Sequence, residues 1–213
     1  MKYKHTVGYL SAIIDVRETE TNPTLVPLDE HQYIKDPMCE HFGLRKIVAD
    51  KLSQAASRLP HGYRFKIFET YRSRDKQTLF WKKELTKLKQ LHPDWSESQL
   101  KEEANNGIAN PDGIGSGHQT GAALDLTICK DGKELDMGTA YLDTSNPQTP
   151  TFVQGLSARQ FHNRQMLYSL MYFVGLANYP LEWWHYSYGE HEWAVITGHK
   201  QTLFAKMDGR VRE

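Results

Sequence analysis

The spacing of apolar residues along this chain changes several times, and each change predicts an element. Leu44, Ile47, Val48, Leu52, Ala55, Ala56 and Leu59 recur at three- and four-residue steps and predict a helix over 42–59, ended by Pro60-His61-Gly62. Tyr63, Phe65 and Ile67 then alternate, as in a half-buried strand. A second amphipathic helix runs from Asp75 to about Leu91, with Leu79, Leu85, Leu88 and Leu91 on related faces, and Pro93 stops it. Ser96-Glu97-Ser98-Gln99 has capping-box spacing and opens a short helix through Ala104. Asn105 to Gly117 holds four glycines and a proline and reads as a loop.

Period two returns at Ala122, Leu124, Leu126 and Ile128, with Asp131-Gly132 as the turn after that strand. Residues 133–156 form a long excursion containing Pro147 and Pro150. Residues 158–174 are the clearest helix, with Leu167, Leu170, Met171 and Val174 on one face and Gly175 at its end. Trp183 to Ser187 and His191 to Thr197 read as two strands joined at Tyr188-Gly189-Glu190. Residues 1–40 read as an irregular arm, with a short strand at Ile13-Ile14-Asp15-Val16 and breaks at Asn22-Pro23, Pro27 and Asp36-Pro37. Mixed runs of helices and strands with a terminal hairpin predict an α+β single domain over 1–213, a central antiparallel sheet flanked by helices.

Composition narrows the function classes. The chain has 213 residues, 39% hydrophobic and 24% charged, which is ordinary globular usage. Its 26 basic residues balance 26 acidic ones, so the excess of Lys and Arg that phosphate neutralisation needs is absent and nucleic acid is not an expected partner. Cys39 and Cys129 are too few for a disulfide framework and read as two small buried hydrophobes. Met1-Lys2-Tyr3-Lys4 is basic, yet no apolar run follows it, and no stretch reaches the length of a membrane span. The expectation is a cytoplasmic protein.

The candidate chemistry lies in two segments. In Ser116-Gly117-His118-Gln119-Thr120-Gly121-Ala122-Ala123-Leu124-Asp125-Leu126, a histidine ends a glycine-rich loop and an aspartate follows seven residues later in an apolar strand. Asp125 points away from the Leu124 and Leu126 face; alone, it reads as solvent-facing, as most aspartates are. In Leu181-Glu182-Trp183-Trp184-His185-Tyr186, a carboxylate and an imidazole converge only if the backbone turns near Glu182. Alone, that segment also reads as an aromatic core strand with a hydrogen-bonded histidine. Together, His118, Asp125 and His185 make the two-imidazole, one-carboxylate set of a catalytic zinc, which leaves a position for water and lowers its pKa toward about 7. Glu182 is the candidate to move that water's proton to a leaving amine. Arg72, just after the strand at 63–69, is the candidate to stabilise an oxyanion, although position alone also fits a surface arginine. His61, His191 and His199 have no comparable partners and read as surface or core histidines.

Ser116-x-His118 with Asp125, then Glu182-x-x-His185, with Tyr71-Arg72-Ser73 upstream, resembles the zinc D-alanyl-D-alanine peptidases, which share a fold with the hedgehog signalling domain. Glu182-Trp183-Trp184-His185-Tyr186 and Asp136-Met137-Gly138 are most similar to the D-Ala-D-Ala dipeptidases of vancomycin-resistance type. The resemblance implies one catalytic zinc on His118, Asp125 and His185, Glu182 as base then acid, and Arg72 on the tetrahedral intermediate. It implies a small-peptide substrate contacted by Ser116. The dipeptidases carry an aspartate directly after the aromatic that follows Met-Gly, and that aspartate holds the substrate amine; here Leu142 follows Tyr141, and the aspartate is Asp143. A dipeptidase is therefore expected, with a D,D-carboxypeptidase or other peptidoglycan peptidase as the alternative. A zinc-stabilised interaction module is the non-enzymatic one.

Overall fold

A computed structural model describes residues 14–207 except 22 and 106. The basic N-terminal segment and Ile13, the first residue of the strand expected at 13–16, lie outside the described residues. Of that expected strand, Asp15 makes only an isolated bridge to Gln201. The arm read as irregular carries β1 (Leu25–Pro27) and β2 (Ile34–Lys35). β1 pairs antiparallel with β3 (Gly43–Arg45), so the helix expected from 42 begins at 46, as α1 (Lys46–Ala56). Backbone pairing of Leu44 with Val26 accounts for this late start.

The central sheet is built on β4 (Tyr63–Glu69) and β5 (Ala123–Lys130), which are antiparallel. β2 joins β4 in parallel, and β6 (Lys133–Glu134) joins the far end of β5. On the other side, β8 (His185–Ser187) pairs with β5 and β7 (Ala177–Asn178) pairs with β8, both antiparallel. The sheet order is thus β2-β4-β5-β8-β7, and the expected α+β architecture is observed. Phe65, Ile67, Leu124, Leu126 and Ile128 share one core with Val48, Leu52 and Ala55 of α1 and with Leu167 and Met171 of α4 (Ala158–Phe173). Burying such side chains fully is worth roughly 1.5–3 kcal/mol each, so this face anchors the sheet.

α2 (Arg74–Leu91) and α3 (Glu97–Ala104) pack on each other through a separate small core of Trp81, Leu88, Leu100 and Ala104. Both bonds of the Ser96–Gln99 capping box are present at the start of α3. The largest departure from the expected elements is at the C-terminal end. Trp183 and Trp184 lie in a turn rather than a strand, and His191–Thr197 is a helix, α5. The alternating apolar pattern there is overridden by its ends. Glu190 caps α5, its carboxylate accepting from the Glu192 and Trp193 amides, and Gly198 closes it at φ +75°. β7 supplies the pairing that the expected hairpin would have made.

Candidate active site

Sheet register brings the first two site residues together. Asp125 of β5 pairs directly with His185 of β8 on one side and with Glu69 of β4 on the other. Directly opposed residues present their side chains to the same face. The register slips between Ile67 and Glu69, a bulge of the kind that re-aims the end of a strand. His118 comes from a single 3-10 turn, Gly117–Thr120, which leads into β5. Ser116 caps that turn, its hydroxyl accepting from the His118 amide, and Gly121 ends it at φ +70°. That left-handed backbone is what favours glycine at 121, where a Cβ would also push against Leu25 Cδ2 at 2.5 Å.

The three side chains meet in a buried triangle. His118 Nε2 lies 3.2 Å from His185 Nδ1 and 3.3 Å from Asp125 Oδ1, and the third side, His185 Nδ1 to Asp125 Oδ1, is 2.9 Å. Donors around a tetrahedral zinc with bonds of about 2.0–2.1 Å sit about 3.3 Å apart. The triangle therefore fits zinc both in donor type and in size. The reading of Asp125 as solvent-facing does not hold, because it is 2% exposed. Burial opposes its charge, but the His118 and His185 imidazoles outweigh that and hold its carboxyl well below the carboxylate range.

Outer contacts fix each ligand. His118 Nδ1 donates to the Thr70 carbonyl at 2.7 Å, which leaves Nε2 as the free donor nitrogen. Tyr141 donates its hydroxyl to Asp125 Oδ2 at 2.9 Å, and its ring is stacked on Phe68. Asn178 donates to the carbonyls of Glu182 and His185, both at 3.0 Å, and so clamps the turn that the sequence required near Glu182.

Glu182, Arg72 and Ser116 line the same cleft as the triangle, a space of about 700 Å³ that extends to Trp81 and Glu102 of the α2–α3 pair. Burial pushes the Glu182 carboxyl up to about 7, with Asp125 and Glu192 adding to the shift and His185 opposing it. That places it where a group can both take and return a proton near neutrality. Arg72 is not a surface arginine. Its guanidinium pairs with both Glu69 oxygens and donates to Gln77 Oε1 at 2.8 Å, which holds it against the cleft. Asp143 is not brought into the cleft; its carboxylate accepts from Ser145 and Asn146, while Leu142 and Thr144 line the wall. Thr70, Tyr141 and Glu192 are not singled out as site residues by the sequence, and His191 reads there as a surface or core histidine. His191 lines the cleft, with Nδ1 3.1 Å from Glu190 Oε2.

A pre-formed His-Asp-His triangle, with a carboxyl of raised pKa and an anchored arginine in one cleft, is an arrangement suited to metal-dependent hydrolysis. The chain belongs to the D-ala-D-ala dipeptidase family, whose profile matches residues 43–204. It is similar to a D-alanyl-D-alanine dipeptidase of Synechocystis sp., 34% identical over 88 residues, 36% of each chain. It is also similar to a D-alanyl-D-alanine dipeptidase of Enterococcus faecium, 36% identical over 73 residues, 33% of this chain and 36% of that one. The matched stretches thus span about a third of the length of these relatives. A solved structure of VanYB in complex with D-Alanine-D-Alanine aligns with a TM-score of 0.49 at 18% identity, covering 89% of this chain and 93% of that one.

Proposed function

We propose that this protein hydrolyses D-Ala-D-Ala or a related D-amino-acid dipeptide with one zinc held by His118, Asp125 and His185. The observation that carries this reading is the convergence of the buried triangle, Glu182 and Arg72 on one cleft. Zinc, when bound, supplies a Lewis acid and an acidified water. Glu182 takes a proton from the water as its oxygen adds to the peptide carbonyl carbon. It then returns that proton to the nitrogen as the C–N bond breaks, giving one carboxylate and one free amine. Arg72 donates to the oxygen on which negative charge develops, and Glu69 and Gln77 keep the guanidinium from turning away. Ser116, at the mouth of the His118 turn, offers its hydroxyl to the bound peptide. The cytoplasmic setting expected from the sequence suits a dipeptidase, since mature wall lies outside the cell.

Arg72→Ala is expected to lower kcat by about 10²–10³-fold, the scale of a lost oxyanion donor. A loss confined to KM would remove Arg72 from that role.

A second reading, a D,D-carboxypeptidase or other peptidoglycan peptidase, is favoured by one observation. The segment that holds the substrate amine in dipeptidases presents Leu142 to the cleft, with Asp143 engaged elsewhere. The discriminating experiment is hydrolysis of D-Ala-D-Ala against its N-acetylated form by protein of measured zinc content. The dipeptidase cleaves the free dipeptide alone. Cleavage of the acetylated form moves the protein to the carboxypeptidases. Cleavage of neither, nor of longer wall peptides, by zinc-loaded protein leaves the interaction-module reading.

A further inference from the structure

The two imidazoles of the triangle are held differently at their outer nitrogens. His118 meets a neutral carbonyl, that of Thr70. His185 Nε2 instead lies 2.9 Å from Glu192 Oε2. Both atoms are buried, and among the described residues neither has another hydrogen-bond partner. A buried imidazole N–H and a buried carboxylate oxygen each cost about 1–3 kcal/mol when left unpaired, so each is the other's compensation. Glu192 is the second residue of α5, and its position is set from below. The Glu192 amide donates to Glu190, whose carboxylate is fully buried and also accepts from the Ser187 hydroxyl at 2.6 Å.

We infer that Glu192 is a positioning residue for the metal site. It fixes His185 with Nδ1 turned to the triangle, and it supplies the second negative charge that a buried dication requires. The ligand set itself carries one carboxylate, Asp125, against two neutral imidazoles. A divalent ion there leaves one positive charge uncompensated, and Glu192 neutralises it through the ring of His185. Glu192 is not itself a ligand. It meets Nε2, the ring nitrogen facing away from the other two donors, and it does not belong to the group of donor atoms lying within 4.8 Å of one another. A carboxylate on the outer nitrogen of a metal-bound histidine fixes its tautomer and strengthens its donor atom, and its loss costs about 10–100-fold in metal affinity.

This inference rests on the zinc reading of the triangle, and the test separates the two. Zinc affinity is measured on metal-free wild type, Glu192→Gln and Glu192→Ala by competition with a chromophoric chelator, alongside the visible spectrum of each cobalt-loaded protein. Both variants are expected to bind zinc about 10–100-fold more weakly, Ala more so than Gln, with altered cobalt bands. The amide of Gln keeps the shape and the acceptor oxygen but lacks the charge. Zinc affinity equal to wild type in both variants overturns the inference. So does a loss confined to the melting temperature of the metal-free protein, which would make the pair a structural one. Wild type that takes up no zinc overturns the zinc reading, and this inference with it.

Discussion

Glu182→Gln is expected to lower kcat on D-Ala-D-Ala by about 10³–10⁴-fold, at the upper end of what one acid–base group contributes, while the protein still binds one zinc. The amide keeps the volume and polarity of the side chain but can neither accept the water's proton nor give one to the leaving nitrogen. In the proposed mechanism Glu182 serves both steps, so no second group stands in for it. The same substitution should not weaken the fold. Burial pushes the Glu182 carboxyl from 4.5 up to about 7, so its ionised form is disfavoured in the folded state. The folded protein then holds a proton that the unfolded chain has released, and stability falls as pH rises between these two values. Metal-free Glu182→Gln lacks this penalty. Its melting temperature should equal or exceed that of metal-free wild type at pH 7, with the difference shrinking toward the acid end of the window. An inactive variant that melts well below wild type at pH 7 would mean that the carboxyl holds structure and that its catalytic role is unproven. A variant with wild-type kcat would assign proton transfer to another residue.

The site was legible in the sequence where local chemistry constrains it. Asp125 interrupts an apolar alternation, and Glu182-x-x-His185 follows Tyr179-Pro180, so the need for a turn was readable; Asn178 is what secures it. The burial of Asp125 was not readable. Period two places it opposite Leu124 and Leu126, but only the strand register with His185 and Glu69 shows that this face is closed. The same limit applied to Arg72, whose anchors, Glu69 and Gln77, belong to a strand and a helix on either side of it. The C-terminal helix was missed for a different reason. Trp193, Val195 and Thr197 alternate as a strand would, and the decision is made by the Glu190 carboxylate and Gly198 at the two ends. With that helix misread, Glu192 had no direction, and its approach to His185 was invisible. Asp143 shows the reverse case. Its spacing suggested a displaced equivalent of an amine-binding aspartate, but local hydrogen bonds to Ser145 and Asn146 claim the carboxylate first.

Removing the metal is expected to have the other large effect, on activity and stability together. Chelation should abolish turnover. Returning zinc at about 1,000 times its dissociation constant should stabilise the fold by about 4 kcal/mol, which for a chain of this size is about 10 °C in melting temperature. The increment follows from zinc binding the folded chain alone, since the triangle is assembled only when three separate parts of the fold meet: the turn before β5, β5 itself, and β8. Asp125→Asn tests the same link without emptying the site of side-chain volume. It leaves Tyr141 a partner oxygen but removes the only ligand charge, so zinc affinity should fall by more than the about 10–100-fold that an outer contact costs. The zinc-dependent rise in melting temperature should then disappear over the concentrations that saturate wild type. In the metal-free protein the sign of the electrostatic contribution is also fixed. The Asp125 carboxyl is held below its unfolded value by two imidazoles, so its stabilisation is present above about 4 and is lost as pH falls toward the folded value. Asp125→Asn should flatten that acid slope. A variant that kept both zinc and the full thermal shift would remove Asp125 from the ligand set and, with it, the triangle as the centre of the enzyme.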